Sequence, residues 1–159
     1  PEDRTQAVLM CGAVPGLTPF RAFHQEGVHR HKVKPGPLPE WHLYFGCRNR
    51  DVDFLFEEEL VEAQRMGVLT GLHLAFSRED PNKKVYVQHR MKEDLDLIWD
   101  LIDKRNAIIF ICGSVDMGKD IRNLIRDMVV IKTGSSTDQA SLYLNRLSED
   151  NSVVSELWG

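Results

Sequence analysis

Five short apolar runs, at residues 6–11, 42–45, 72–76, 107–111 and 153–158, recur along the 159-residue chain. Each reads as a strand rather than a helix, and the run at 107–111 is continuous, as in a strand buried on both faces. Stripes of helical period lie between them. Leu95, Ile98, Trp99 and Ile102 follow i, i+3, i+4, i+7, and Met117, Ile121, Leu124, Ile125 and Met128 mark a second stripe. Strands that alternate with helices build a parallel sheet covered on both faces. The expected architecture is one α/β domain over residues 1–159, with five parallel strands.

Further punctuation fits this frame. A segment from Pro19 opens a helix, where the missing proline N–H costs nothing. Pro35, Pro37 and Pro39 make residues 33–39 a loop, since prolines interrupt helices and central strands alike. A helix is expected over about 54–66, preceded by Asp51 and Asp53, with Glu57, Glu58 and Glu59 near the positive end of its dipole. Ser136 and Gln139 have capping-box spacing ahead of a helix bearing Ala140, Tyr143, Leu144 and Leu147.

Composition removes several classes of function. A net charge of −4 argues against general nucleic-acid or membrane-surface binding, so any anionic ligand must be held by local cations. Cys11, Cys47 and Cys112 are widely spaced with no CxxC pair, which suggests neither zinc nor a disulfide framework and fits a reducing compartment. His24, His29 and His31 cluster without carboxylate or cysteine companions at ligand spacing, so no metal is expected. No run is long enough to span a membrane and no signal peptide is visible. The start at Pro1, close to a strand, reads as a piece excised from a longer cytoplasmic polypeptide.

The stretch most suggestive of chemistry is Ser77-Arg78 through Gln88. The third strand stops there, a turn follows through Asp80-Pro81-Asn82, and Lys84, Tyr86 and Gln88 occupy every second position. If extended, those three would share a face. Cations, a hydroxyl, a phenol and an amide beside a strand's carboxyl end suit a phosphate next to a flat heterocycle. A solvated hairpin-like loop would have the same composition.

In this order, Pro19-Phe20-Arg21-Ala22-Phe23, Tyr44-Phe45-Gly46-Cys47-Arg48, Ser77-Arg78 to Gln88, Ile111-Cys112-Gly113 and Glu156-Leu157-Trp158 resemble the Rossmann-like NADPH-binding half of ferredoxin–NADP reductase modules. The resemblance is nearest to the diflavin reductases, which pass electrons from NADPH through FAD to FMN. Phe45 to Arg50 together with Ala75 to Arg78 lean toward the cytosolic reductases of iron–sulfur assembly. The short loop from Cys112 to Met117 is similar to that of nitric oxide synthase, and microsomal monooxygenase reductases are also relatives.

The resemblance implies roles. Ser77, Arg78 and Lys84 would grip the 2′-phosphate, Tyr86 would stack on adenine, and Gln88 would help hold the ribose phosphate. Gly12 and Thr18 would serve the pyrophosphate. Arg48 either reaches the same anion or is a surface arginine. Asp120 either contacts the nucleotide or is an acid in a helix's first turn. Cys112 would position the nicotinamide, Glu156 would hydrogen-bond near the flavin edge, and Trp158 would stack on the flavin; structurally, Cys112 and Trp158 would otherwise be core residues. The chain would bind NADP without turning over alone. Its partners would be FAD- and FMN-binding domains of the same polypeptide and a downstream electron-acceptor protein.

Three departures stand out. Glu156 occurs where the family more often has Asp, and Ser152-Val153 replace an Arg-Tyr-like pair. Where relatives read glycine-proline-glycine-threonine-glycine, this chain reads Gly12-Ala13-Val14-Pro15-Gly16. Val14 adds bulk, and Pro15 supplies neither hydroxyl nor N–H. A second reading follows from that loop: a degenerate module kept for non-catalytic binding or regulation.

Overall fold

The computed structural model describes residues 6–13, 17–34, 36–53 and 56–159. Five strands, β1 (Val8–Ala13), β2 (Trp41–Cys47), β3 (Gly71–Phe76), β4 (Ile108–Ser114) and β5 (Val153–Trp158), form one sheet in the order β3-β2-β1-β4-β5. All four pairings are parallel. The connections contain α1 (Leu17–Val33), α2 (Arg50–Asp53), α3 (Glu57–Arg65), α4 (Val87–Glu93), α5 (Leu95–Asp103), α6 (Val115–Thr133) and α7 (Thr137–Glu149). The five-stranded α/β expectation is met.

Strand alternation divides the core in two. Leu9, Cys11, Tyr44, Ile109 and Ile111 point to one face, where Met91, Ile98, Ile102, Ile121, Ile125, Met128 and Leu144 cover them from α4 to α7. Val8, Met10, Leu43, Phe45 and Cys112 point to the other, against Phe20 of α1 and Leu60 and Ala63 of α3. Burying each such side chain is worth roughly 1.5–3 kcal/mol, so both apolar faces favour the doubly covered sheet. Ser114 caps α6 by accepting from the Met117 N–H at 3.1 Å, and α6 ends at Gly134, left-handed at φ +67°. Ser136 and Gln139 form the expected capping box on α7.

Three expectations change. The fourth strand runs beyond residue 111, placing Cys112 and Gly113 inside β4 rather than in the loop after it. Pairing on both flanks continues that far, with Gly12 beside Cys112 and Cys112, Gly113 and Ser114 beside Glu156, Leu157 and Trp158. Gly12 likewise lies within β1. The helix expected over 54–66 begins at Glu57, behind the separate short α2, and Phe54 lies outside the described residues.

The third change concerns Lys84, Tyr86 and Gln88, which do not lie along one extended face. Tyr86 is the N-cap of α4, and Gln88 is already helical. Val87 and Met91, four residues apart, are both buried, and burying that pair favours a helical turn over continued extension.

Candidate functional site

The topology selects one place for a ligand. From β1 the chain moves outward to β2 and β3, then returns to place β4 on the other side of β1. Helices therefore leave the carboxyl ends of β1 and β4 on opposite sides and open a crevice between them. A cavity of about 560 Å³ lies there, lined by Ala13 of β1, Gly46 and Cys47 of β2, Arg48, Ala75 of β3, Ser77, residues 85–88, Ser114 of β4, and Asp116, Met117 and Asp120 of α6. The volume is within the roughly 300–1,000 Å³ of small-molecule sites.

The walls follow from local sequence. The Ser77 and Arg78 N–H groups donate to the carbonyls of Cys47 and Arg48 at 3.0 and 2.9 Å, joining the loops after β2 and β3. The Arg50 N–H donates to Glu79 Oε1 at 3.3 Å, and the Arg50 guanidinium lies over the Phe76 ring. Asp80 folds the turn by accepting from the Asn82 N–H at 2.8 Å, while the Lys83 N–H reaches the Asp80 carbonyl. That reversal returns the chain to the cavity at Val85 and Tyr86.

Two glycines permit close packing. A Cβ on Gly46 would lie 2.7 Å from Val87 Cγ2, so α4 reaches the sheet only because position 46 is bare. A Cβ on Gly12 would lie 2.5 Å from Phe20 Cε2. Gly12 thus has a packing reason independent of any ligand.

Of the residues expected to bind nucleotide, Arg48, Ser77, Tyr86, Gln88 and Asp120 line this cavity. Gln88 Nε2 donates to Asp120 Oδ2 at 3.1 Å, clasping α4 to α6 across the mouth. Arg78 and Lys84 flank the cavity as exposed side chains on the two limbs of the turn, outside its lining. Neither they nor Arg48 have a carboxylate partner among the described residues, whereas Arg50 and Arg90 nearby pair with Glu57 and Glu93. The Thr18 side chain, Val14 and Pro15 lie outside the described residues.

Cys112, Glu156 and Trp158 form a second group outside the cavity. Cys112 is paired in register with Glu156, and Ser114 with Trp158, so the three share the α1-facing side of β4 and β5. Ser114 also lines the cavity, which makes the two groups neighbours. Burial first, then the Glu156 charge, pushes the Cys112 thiol up, so it stays protonated at neutral pH. Its environment is that of an inert thiol rather than an activated nucleophile. Trp158 is 37% exposed on the edge strand β5, a large apolar surface at the border of the domain.

Ser114, Asp116 and Met117 also line the cavity, beyond the residues expected from the sequence. A serine directly before the Met117 stripe is an N-cap signal that could have marked Ser114. Gly113 has no Cβ to obstruct Met117, which folds over it. Among the described residues no three His, Cys, Asp or Glu side chains are grouped to hold a metal, and no helix is long and apolar enough to cross a membrane. His24 Nδ1–H donates to the Phe20 carbonyl, 3.0 Å away within α1.

A parallel sheet with a ligand-sized crevice at its topological switch point defines a nucleotide-binding α/β domain. The oxidoreductase NAD-binding domain family matches residues 9–123, and the chain belongs to that family. It is 38% identical to the NADPH–cytochrome P450 reductase of Bos taurus over 160 residues, covering 99% of this chain and 23% of that protein. The Rattus norvegicus NADPH–cytochrome P450 reductase gives the same identity and coverage. Identity to the Drosophila melanogaster nitric oxide synthase is 34% over 160 residues, covering 100% of this chain and 12% of that protein. The chain therefore spans less than a quarter of the length of these relatives.

Proposed function

We propose that this domain binds NADPH and presents it to a flavin in a diflavin electron-transfer reductase. The observation that carries the reading is the crevice at the β1/β4 switch point, where Arg48, Ser77, Tyr86 and Gln88 line a cavity of about 560 Å³ and Arg78 and Lys84 flank it, the three cations having no carboxylate partner among the described residues. The residues fit the cofactor. Arg78 and Lys84 hold the 2′-phosphate, Ser77 donates to it, and Arg48 adds charge from the adjoining loop. Tyr86 offers a ring to adenine, Gln88 helps hold the ribose phosphate, and Asp120 offers a carboxylate to the nucleotide. Gly12 allows close approach at the pyrophosphate, and Thr18 supplies a hydroxyl there.

Bound NADPH would supply a hydride for a flavin, the chemistry by which such a reductase would pass electrons from FAD through FMN to a protein acceptor. On this chain, Cys112 orients the nicotinamide without acting as a nucleophile, Glu156 holds the flavin edge, and Trp158 covers the flavin ring. FAD and FMN sit mainly on other domains of the same polypeptide, in the cytoplasm. The sequence around Cys47 and Ser77 favours a reductase of iron–sulfur assembly within this group. The 159-residue chain binds NADP but does not turn over by itself.

Val14 and Pro15 favour the second reading, a non-catalytic binding or regulatory domain. Calorimetric titration with adenosine 2′,5′-bisphosphate and AMP tests the first. The bisphosphate is expected to bind at least about tenfold more tightly, from charge-assisted contacts to its 2′-phosphate. Equal or undetectable binding of the two overturns the NADPH reading and leaves the second.

A further inference from the structure

His89 is exposed and faces α4's own first turn rather than the body of the domain, yet it makes two contacts with Tyr86. Its Nδ1 accepts a hydrogen bond from the Tyr86 N–H at 3.0 Å. The two rings also meet at a tilt of 42°, with centroids 5.6 Å apart. We propose that His89 is a positioning residue for the ligand site, fixing Tyr86 in the conformation that presents its ring to the cavity.

The geometry assigns the work to one lone pair. Tyr86 is the N-cap of α4, with φ −110° and ψ 168°, and the next residue, Val87, is buried against Gly46. The backbone is therefore anchored after Tyr86 but, in the irregular segment before it, only the bond to His89 holds its amide. The Tyr86 carbonyl already accepts the His89 N–H at 3.0 Å, so the bond to Nδ1 closes a reciprocal loop between cap and third helical residue. Arg90 Nε donates to the Leu74 carbonyl at 2.8 Å, and Gln88 Nε2 donates to Asp120, so the neighbours of His89 fix α4 to β3 and α6. His89 alone in that row turns back on Tyr86. An Nδ1 that accepts requires the proton on Nε2. The required chemistry is an acceptor of short reach at position 89.

This inference rests on the NADPH reading for its ligand, but the conformational part is tested without one. Three variants separate acceptor from ring: His89→Asn keeps an acceptor, His89→Phe keeps a ring, and His89→Ala keeps neither. Binding of adenosine 2′,5′-bisphosphate is followed by calorimetry, and exchange of the Tyr86 amide by NMR in the ligand-free chain. His89→Asn should stay within about twofold of the parent, while the other two bind roughly three- to tenfold more weakly and exchange the Tyr86 amide faster by a similar factor. Parent-like affinity and exchange in His89→Phe, or losses in His89→Asn equal to those in His89→Ala, would overturn the proposal. If the parent does not bind the bisphosphate, the NADPH reading fails. Tyr86 exchange then decides alone, and an unchanged rate in His89→Ala overturns the positioning role.

Discussion

Arg78 and Lys84 owe their availability to what surrounds them. The domain carries more acidic than basic residues, yet these two cations and Arg48 have no carboxylate partner among the described residues. An arginine can meet a phosphate with two parallel, charge-assisted hydrogen bonds, whereas a 2′-hydroxyl offers it no charge. Arg78→Ala should therefore weaken NADP about tenfold or more while changing NAD binding less than about threefold, measured by calorimetry. Similar losses for both would remove Arg78 from the 2′-phosphate. Residue identity alone pointed to this cluster, because the types and their nearness in sequence are local facts. The separation of Cys112 and Trp158 from the cavity was not local, since it depends on where β5 pairs.

At the scale of elements, α4 is the part that converts the strand ends into a site. It contributes Val87 and Gln88 to the cavity, with Tyr86 as its cap, and it reaches the sheet over the bare Gly46. A Cβ 2.7 Å from Val87 Cγ2 forces the Val87 side chain or its helix to shift. Gly46→Ala should cost about 1–3 kcal/mol of stability in urea unfolding, by overpacking. Adding Val87→Ala should recover part of that loss, and a double variant no more stable than Gly46→Ala would show that the clash lies elsewhere. The period of two at Lys84, Tyr86 and Gln88 concealed α4, because side-chain spacing reports a strand only where the backbone is extended. The burial of Val87 and Met91 against a sheet assembled from distant segments decided for the helix.

At the scale of the molecule, histidines packed into the domain set its response to acid. Beside the paired strands β2 and β3, His42 Nδ1 lies 3.4 Å from His73 Nε2, His42 Nε2 contacts Glu40, and His73 stacks on Tyr44 at 4.1 Å. The Tyr44 hydroxyl donates to Asp94 Oδ2 at 2.8 Å, and His73 Nδ1 lies 3.3 Å from the same oxygen. Burial is the chief cause that lowers the pKa of His24, His42 and His73; Asp94 opposes it for the last two, and His42 and Arg90 reinforce it for His73. The unfolded chain takes up these protons near pH 6.5 while the folded one resists. Stability is thus full above about pH 6.5 and falls as pH drops through the lowered folded values. Urea midpoints should decline between pH 7.5 and 5.5, and His73→Gln should flatten that slope. An unchanged slope would remove His73 from the acid response.

Short apolar runs and helical stripes determine by themselves that this chain is a parallel α/β sheet, because each period commits its own segment to one kind of backbone. The phosphate-friendly stretch and the order of motifs also lead to an expected nucleotide site at the strand ends, where the cavity lies. Tertiary structure alone decides that β4 continues through Cys112 to Ser114, that Gly12 is bare for Phe20, and that Tyr86 caps a helix. These outcomes depend on neighbours remote in sequence. A strand ends where its partners cease to pair, and a turn becomes helical when its apolar pair finds a surface to cover.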